Sequence, residues 1–152
     1  KTDSTRVITF SLGAFNAVPT NIDGVKTDWP HLSHHGKDEN KIDELEIIEK
    51  EEFSLFAKFL GDLKSHQENG SSLLTNTTVL FGSNLGNASS HDWRNLPIIL
   101  AGGGYRHGSY VAHDAQDNTP LSNLFVPLAQ RMGVAIEQFG KSTNSPLRGL
   151  ES

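Results

Sequence analysis

Three of the chain's seven histidines fall within five residues, His31-Leu32-Ser33-His34-His35. His31 and His34 are three apart, and His31 and His35 are four apart. On a helical turn, imidazoles at such spacings can hold one ion, as zinc-binding helices do. Pro30 and Gly36 flank the set, so a single irregular turn is all that fits. The same residues suit phosphate or oxyanion binding, or a hydrogen-bonded structural cluster at a helix start. Spacing alone leaves these readings open.

Further groups with chemical capacity follow later in the chain. His91-Asp92 offers a nitrogen and a carboxylate. Ser83 and Asn84 end an apolar strand-like run, where reacting groups often sit; the plain alternative is a side chain–backbone turn. Gly102-Gly103-Gly104 can cradle an anion through backbone N–H groups. It lacks the spacing of either nucleotide-binding glycine loop. His107 and His113 read as local loop structure. No GxSxG elbow occurs, which disfavours an ordinary α/β-hydrolase triad.

The elements that must position these residues are legible in outline. Residues 6–12, RVITFSL, read as a strand. A long loop, 14–39, carries the histidines at its far end, and long loops in compact domains are commonly functional. Apolar residues at helical spacing (Ile42, Leu45, Ile48, Phe56, Phe59, Leu63) predict a helix over 40–67. Asp38 or Asn40 suits its start, and Asn69-Gly70 its stop. TTVLFG at 77–82 and LPIILAG at 96–102 predict two more strands, the first apolar on both faces as a covered central strand would be. Thr119-Pro120 opens a last helix to about Met132, which Pro127 kinks or splits.

This order predicts an α/β three-layer sandwich with a mostly parallel or mixed sheet. In such sheets sites lie at the carboxyl ends of strands. The loops 13–39, 83–95 and 103–118 would then converge at one edge. That would gather six histidines with Asp92, Asp114 and Asp117.

Composition narrows the class. At 152 residues the chain reads as one α/β domain over 1–152, or part of a larger one. Its formal charge of −5 argues against a duplex nucleic-acid binder. No run approaches the roughly 18 apolar residues of a membrane span. The absence of cysteine removes thiolate sites, Cys nucleophiles and disulfides. Asn-x-Ser/Thr triplets at Asn69, Asn76 and Asn87 are common by chance.

The pattern HLSHH resembles the motif of the HXXSHH family, bacterial proteins of unknown function. The block LLTNTTVLFGSNLGNASSHDWRNLPIILAGGG, the Thr-Pro helix and the FG-S-T tail resemble the family's later portion. The likeness runs from about residue 5 to 147. It implies a secreted or periplasmic protein, of which this chain is the C-terminal half, partnered by an absent N-terminal half of the same protein.

More distantly, the layout resembles the C-terminal portion of the alkaline phosphatase and sulfatase superfamily. Ser83-Asn84-Leu85-Gly86 stands where that superfamily has SDHG, and His91 where a downstream metal histidine falls. Asn84 and Leu85 remove two of its ligands. The resemblances imply a metal-dependent hydrolase-like protein acting on phosphate or sulfate esters of unknown identity. His31, His34, His35 and His91 would hold a divalent metal, zinc first. Ser33, Asn84 and Asp92 would be polar partners, with Ser33 and Asn84 the candidate reacting groups and Asp92 a lesser candidate metal ligand. The alternative is a non-catalytic structural or binding module on a degenerate scaffold of this kind.

Overall fold

The computed structural model describes residues 5–12, 16–114, 116–143, 147 and 149–150. The chain divides into two compact units, Lys1–Phe56 with Ala88–Ser90, and Ala57–Asn87 with His91–Ser152.

The first unit is built on two helices. The short α1, Trp29–Ser33, is started by Asp28, which has extended backbone and caps it, with Pro30 in the first turn. The long α2 runs Glu39–Ser65 and continues past Phe56 into the second unit. Asp38 Oδ1 accepts from the Asn40 N–H (2.9 Å) at its start. The predicted helix therefore stands, within two residues at either end.

Leu32 is the one fully buried large side chain among the described residues. It packs with Val25 and Ile48, and Ile22, Trp29 and Leu45 close around them. The backbone N–H groups of Lys26 and Thr27 donate to Glu44 Oε1, tying the loop before α1 to α2. The hydrogen bond from Lys26 leads in holding the Glu44 carboxyl below its ordinary value.

In the second unit, Asn69 and Gly70 both have positive φ, 51° and 82°. They form the two-residue turn of a small hairpin, β1 (Gln67–Glu68) and β2 (Ser71–Ser72). The chain then folds back on the end of α2, Leu74 N–H donating to Leu63 O (3.1 Å). β3 (Thr78–Gly82) and β4 (Ile98–Gly102) pair antiparallel, with Leu80 opposite Leu100. Gly102 lies at φ 70°, where a Cβ would meet Thr77 O at 2.2 Å and Leu74 O at 2.4 Å, so only glycine fits. α3 (Ser122–Arg131) carries Pro127 inside one continuous helix rather than two pieces. Arg131 stacks on the Tyr105 ring at 4.3 Å.

This overturns the three-layer sandwich with a mostly parallel sheet. Among the described residues there are three helices and two two-stranded antiparallel sheets. The reason lies in the 83–97 connection. Parallel neighbours need a crossover, usually helical. Here the connection contains no helix and closes on itself through an Asn87–Asp92 bridge, so β4 returns beside β3 in the opposite sense. β3 is also not a covered central strand, since its residues alternate between exposed and half-buried. Residues 6–12 are not a strand; they are coil, with Ile8 and Phe10 more than four-fifths exposed.

Two outcomes test this packing. Leu32→Ala removes the centre of the first unit's core and should cost about 2–5 kcal/mol by urea unfolding. Glu52 lies one turn from buried Ile48, and burial first, then Glu49, raises its carboxyl above the ordinary 4.5. The folded state then holds that proton more tightly than the unfolded chain, so stability falls as pH rises from 4.5 through the folded value. Glu52→Gln should therefore melt higher than the parent at pH 7, with the gap closing below pH 4.5.

Candidate functional site

Burial of Leu32 sets the rotation of α1. Leu32 and Ser33 face inward, and His31 and His34, three apart, face outward. Both outward rings border a shallow cleft of about 330 Å³, with Asn16, Asp28 and Pro30 completing its lining.

Asp28 works twice. Its Oδ1 accepts the His31 backbone N–H (3.0 Å), capping the helix. Its Oδ2 accepts from His31 Nδ1 (3.0 Å). These bonds, the backbone one foremost, hold the Asp28 carboxyl below its ordinary value. The neutral His31 ring therefore carries its proton on Nδ1 and its lone pair on Nε2. His31 remains largely exposed, at 73% of its side chain.

His34 Nδ1 donates to Pro30 O (2.9 Å), which places its lone pair on Nε2 as well. Ser33 Oγ, on a buried residue, also donates to Pro30 O (3.0 Å) and lies 3.3 Å from His34 Nδ1. His35 is reversed. Its Nδ1 accepts from the Lys37 N–H (3.1 Å), so the neutral ring has its proton on Nε2. In their neutral forms His31 and His34 thus carry the lone pair on Nε2, and His35 carries the proton there. Only the first two suit a metal through Nε2.

One comparison within the chain bears on His34. Ser65-His66 ends α2 with the same contacts. Ser65 Oγ donates to Asp62 O (2.9 Å), and His66 Nδ1 to that same oxygen (2.8 Å). A Ser-His pair closing the last carbonyls of a helix is a C-terminal cap in its own right. The Asp28–His31 pair has no counterpart at α2.

The remaining candidates divide. Ser89 Oγ donates to Ser33 O (3.3 Å) within the first unit, whereas His91 and Asp92 belong to the second. His91 has φ 52° in the turn between the bridged residues. Asp92 Oδ1 accepts from Arg94 N–H (3.0 Å) and Arg94 Nε (3.1 Å), and the backbone bond leads in lowering its carboxyl's pKa. Ser83 Oγ accepts from the Leu85 N–H (3.1 Å), the plain strand-ending turn, and Asn84 is exposed beside it.

The expected gathering of six histidines fails on topology. Antiparallel pairing puts the carboxyl ends of β3 and β4 at opposite ends of their ribbon, about 14 Å apart for five-residue strands. His91 follows one end and His107 the other. His107 Nε2 donates to Gly102 O (2.8 Å), and His113 Nδ1 lies 3.1 Å from Thr119 Oγ1, so both serve their own loops. No group of three or more His, Asp and Glu side chains placed to hold a metal occurs among the described residues.

Asp28 is the functional candidate that the histidine motif did not announce. A capping residue three positions before the first histidine was the available signal. The hydrogen bonds predict that ¹⁵N NMR near pH 8 shows His31 and His34 protonated on Nδ1 and His35 on Nε2. Asp28→Ala should release His31 to a tautomer mixture and cost about 1 kcal/mol of stability for the lost cap. No family model, curated protein or solved structure matches the chain.

Proposed function

We propose that this chain belongs to a secreted or periplasmic protein of the HXXSHH type that binds a divalent metal through His31 and His34 and acts on phosphate or sulfate esters. The observation that carries the reading is the Asp28–His31 pair at 3.0 Å. Metal-ligating histidines usually give their second N–H to a carboxylate or a backbone carbonyl. His31 gives it to Asp28, while the bond from His34 to Pro30 O is already accounted for by the helix end. Neutral nitrogen donors suit zinc first. When bound, such a metal polarises an ester oxygen or lowers the pKa of water. The chain's own residues supply two oriented imidazoles on an exposed turn, and His35 can donate Nε2–H to an anion. His91 remains a further candidate ligand and Asn84 a candidate reacting group.

A second reading, a non-catalytic structural or binding module, is favoured by the Ser65-His66 cap. That pair closes a helix end with the His34 geometry away from the HLSHH cluster.

Zinc titration followed by thermal shift and NMR separates the two. Under the metal reading zinc raises the melting temperature, EDTA reverses it, and the His31 and His34 ring signals move together. His31→Ala and His34→Ala abolish the zinc effect and His66→Ala keeps it. If zinc leaves melting and ring signals unchanged, and His34→Ala merely lowers stability by about 1 kcal/mol as a lost cap would, the metal reading fails.

A further inference from the structure

Asn69-Gly70 is the only Asn-Gly pair in the chain. It forms the turn between β1 and β2, and both residues are exposed. Among the described residues neither the Asn69 carboxamide nor the Gly70 N–H has a hydrogen-bond partner. The register explains the free N–H: Glu68 and Ser71 pair across the turn and leave the amide between them outside the ladder. Nothing lies within 4 Å of the place a Cβ would take at Gly70.

These groups can react with each other. An asparagine carboxamide carbon is an electrophile, and the next backbone nitrogen can close a five-membered ring on it. A side chain on the following residue crowds that ring, and glycine has none. A solvated N–H can lose its proton to hydroxide, and an unbonded carboxamide can turn to meet it. β1 and β2 have two residues each, and so small a hairpin is only marginally stable. The Asn69 backbone can therefore rotate to the ring-closing angle without unfolding the rest.

We propose that Asn69 is a site of spontaneous modification, deamidating through a succinimide. Gly70 N, its proton given to hydroxide, attacks Asn69 Cγ. The N–Cγ bond forms, the Cγ–Nδ2 bond breaks, and Nδ2 leaves as ammonia with a proton from water. Water then opens the ring at either carbonyl. Breaking the N–Cγ bond gives aspartate; breaking the bond from N to the Asn69 backbone carbonyl carbon gives isoaspartate, with the chain running through Cγ. One water enters and one ammonia leaves. Aspartate tolerates a positive φ, so it keeps the turn and adds a negative charge beside Glu68. Isoaspartate adds a backbone atom to a two-residue loop and breaks the Gln67–Ser72 and Glu68–Ser71 register.

The chain carries its own controls. Asn76 Nδ2 donates to Ser71 Oγ (2.8 Å), and Thr77 follows it. Asn84 precedes Leu85, and Asn87 precedes Ala88 with its backbone bridged to Asp92. All four asparagines lie in one tryptic peptide, 65–94. The full chain is incubated in warm buffer near pH 8, and this peptide is followed by mass spectrometry. It should become about one dalton heavier, NH₂ being replaced by OH, with fragmentation placing the gain at Asn69 before any other asparagine. Two new chromatographic peaks of equal mass should appear, one coinciding with the peptide of the Asn69→Asp chain and one not. Gly70→Ala should remove most of the gain. An unchanged mass over weeks overturns the proposal. So does a gain that appears equally at Asn76, Asn84 or Asn87, one undiminished in Gly70→Ala, or one giving the aspartate peak alone, as direct hydrolysis would.

Discussion

The first unit depends on the burial of one side chain. Leu32 sits among Val25, Ile48, Trp29 and Leu45, and no other large side chain described in the chain is so completely covered. α1 is too short to be stable by its own hydrogen bonds, since helix nucleation is unfavourable over five residues. It persists because Leu32 is held from inside, Asp28 closes its first N–H groups, and His34 and Ser33 close Pro30 O at its other end. The orientation of the histidines follows. With Leu32 fixed inward, residues one before and two after it point outward. The chemistry of the motif is thus a consequence of its one apolar residue.

The same logic separates residues that the motif lists side by side. His35 lies past the helix end, where Gly36 and Lys37 have positive φ and the Lys37 N–H turns back onto its ring. Its proton is therefore placed opposite to those of His31 and His34. Ser33 is inward because it shares a face with Leu32, and its hydroxyl is occupied by the helix itself. A nucleophilic role for Ser33 would require breaking that bond and uncovering the side chain.

How far the sequence carried depends on what each signal encodes. α2 was legible because a 3.6-residue apolar period over more than 20 positions has few alternatives. The β3 and β4 segments were legible as strands from their Val, Leu and Ile runs. Their direction was not, because side-chain alternation is the same whichever way a strand runs; direction was decided by the 83–97 connection. Placing all the loops at one edge assumed parallel strands, and the error in direction carried into the expected site. Residues 6–12 show a different limit. Their composition fits a strand, but a strand exists only when another strand receives its hydrogen bonds. The place of Asp28 was not legible, because its cap-and-clamp role depends on backbone geometry at Trp29 and Pro30.

The two Ser-His helix ends bear on how such motifs should be read. Ser33-His34 and Ser65-His66 make the same bonds, one within a conspicuous histidine cluster and one in plain surroundings. Geometry shared by both cannot argue for chemistry at either, because a helix end with unsatisfied carbonyls already accounts for it. What distinguishes the first end is upstream. Asp28 commits its second oxygen to His31 rather than to solvent, although a single oxygen suffices for the cap. Orienting an exposed imidazole in one tautomer adds little to a fold whose core lies on the opposite face of the turn. The Asp28 clamp on His31, rather than the number of histidines, is what sets this helix end apart from the end of α2.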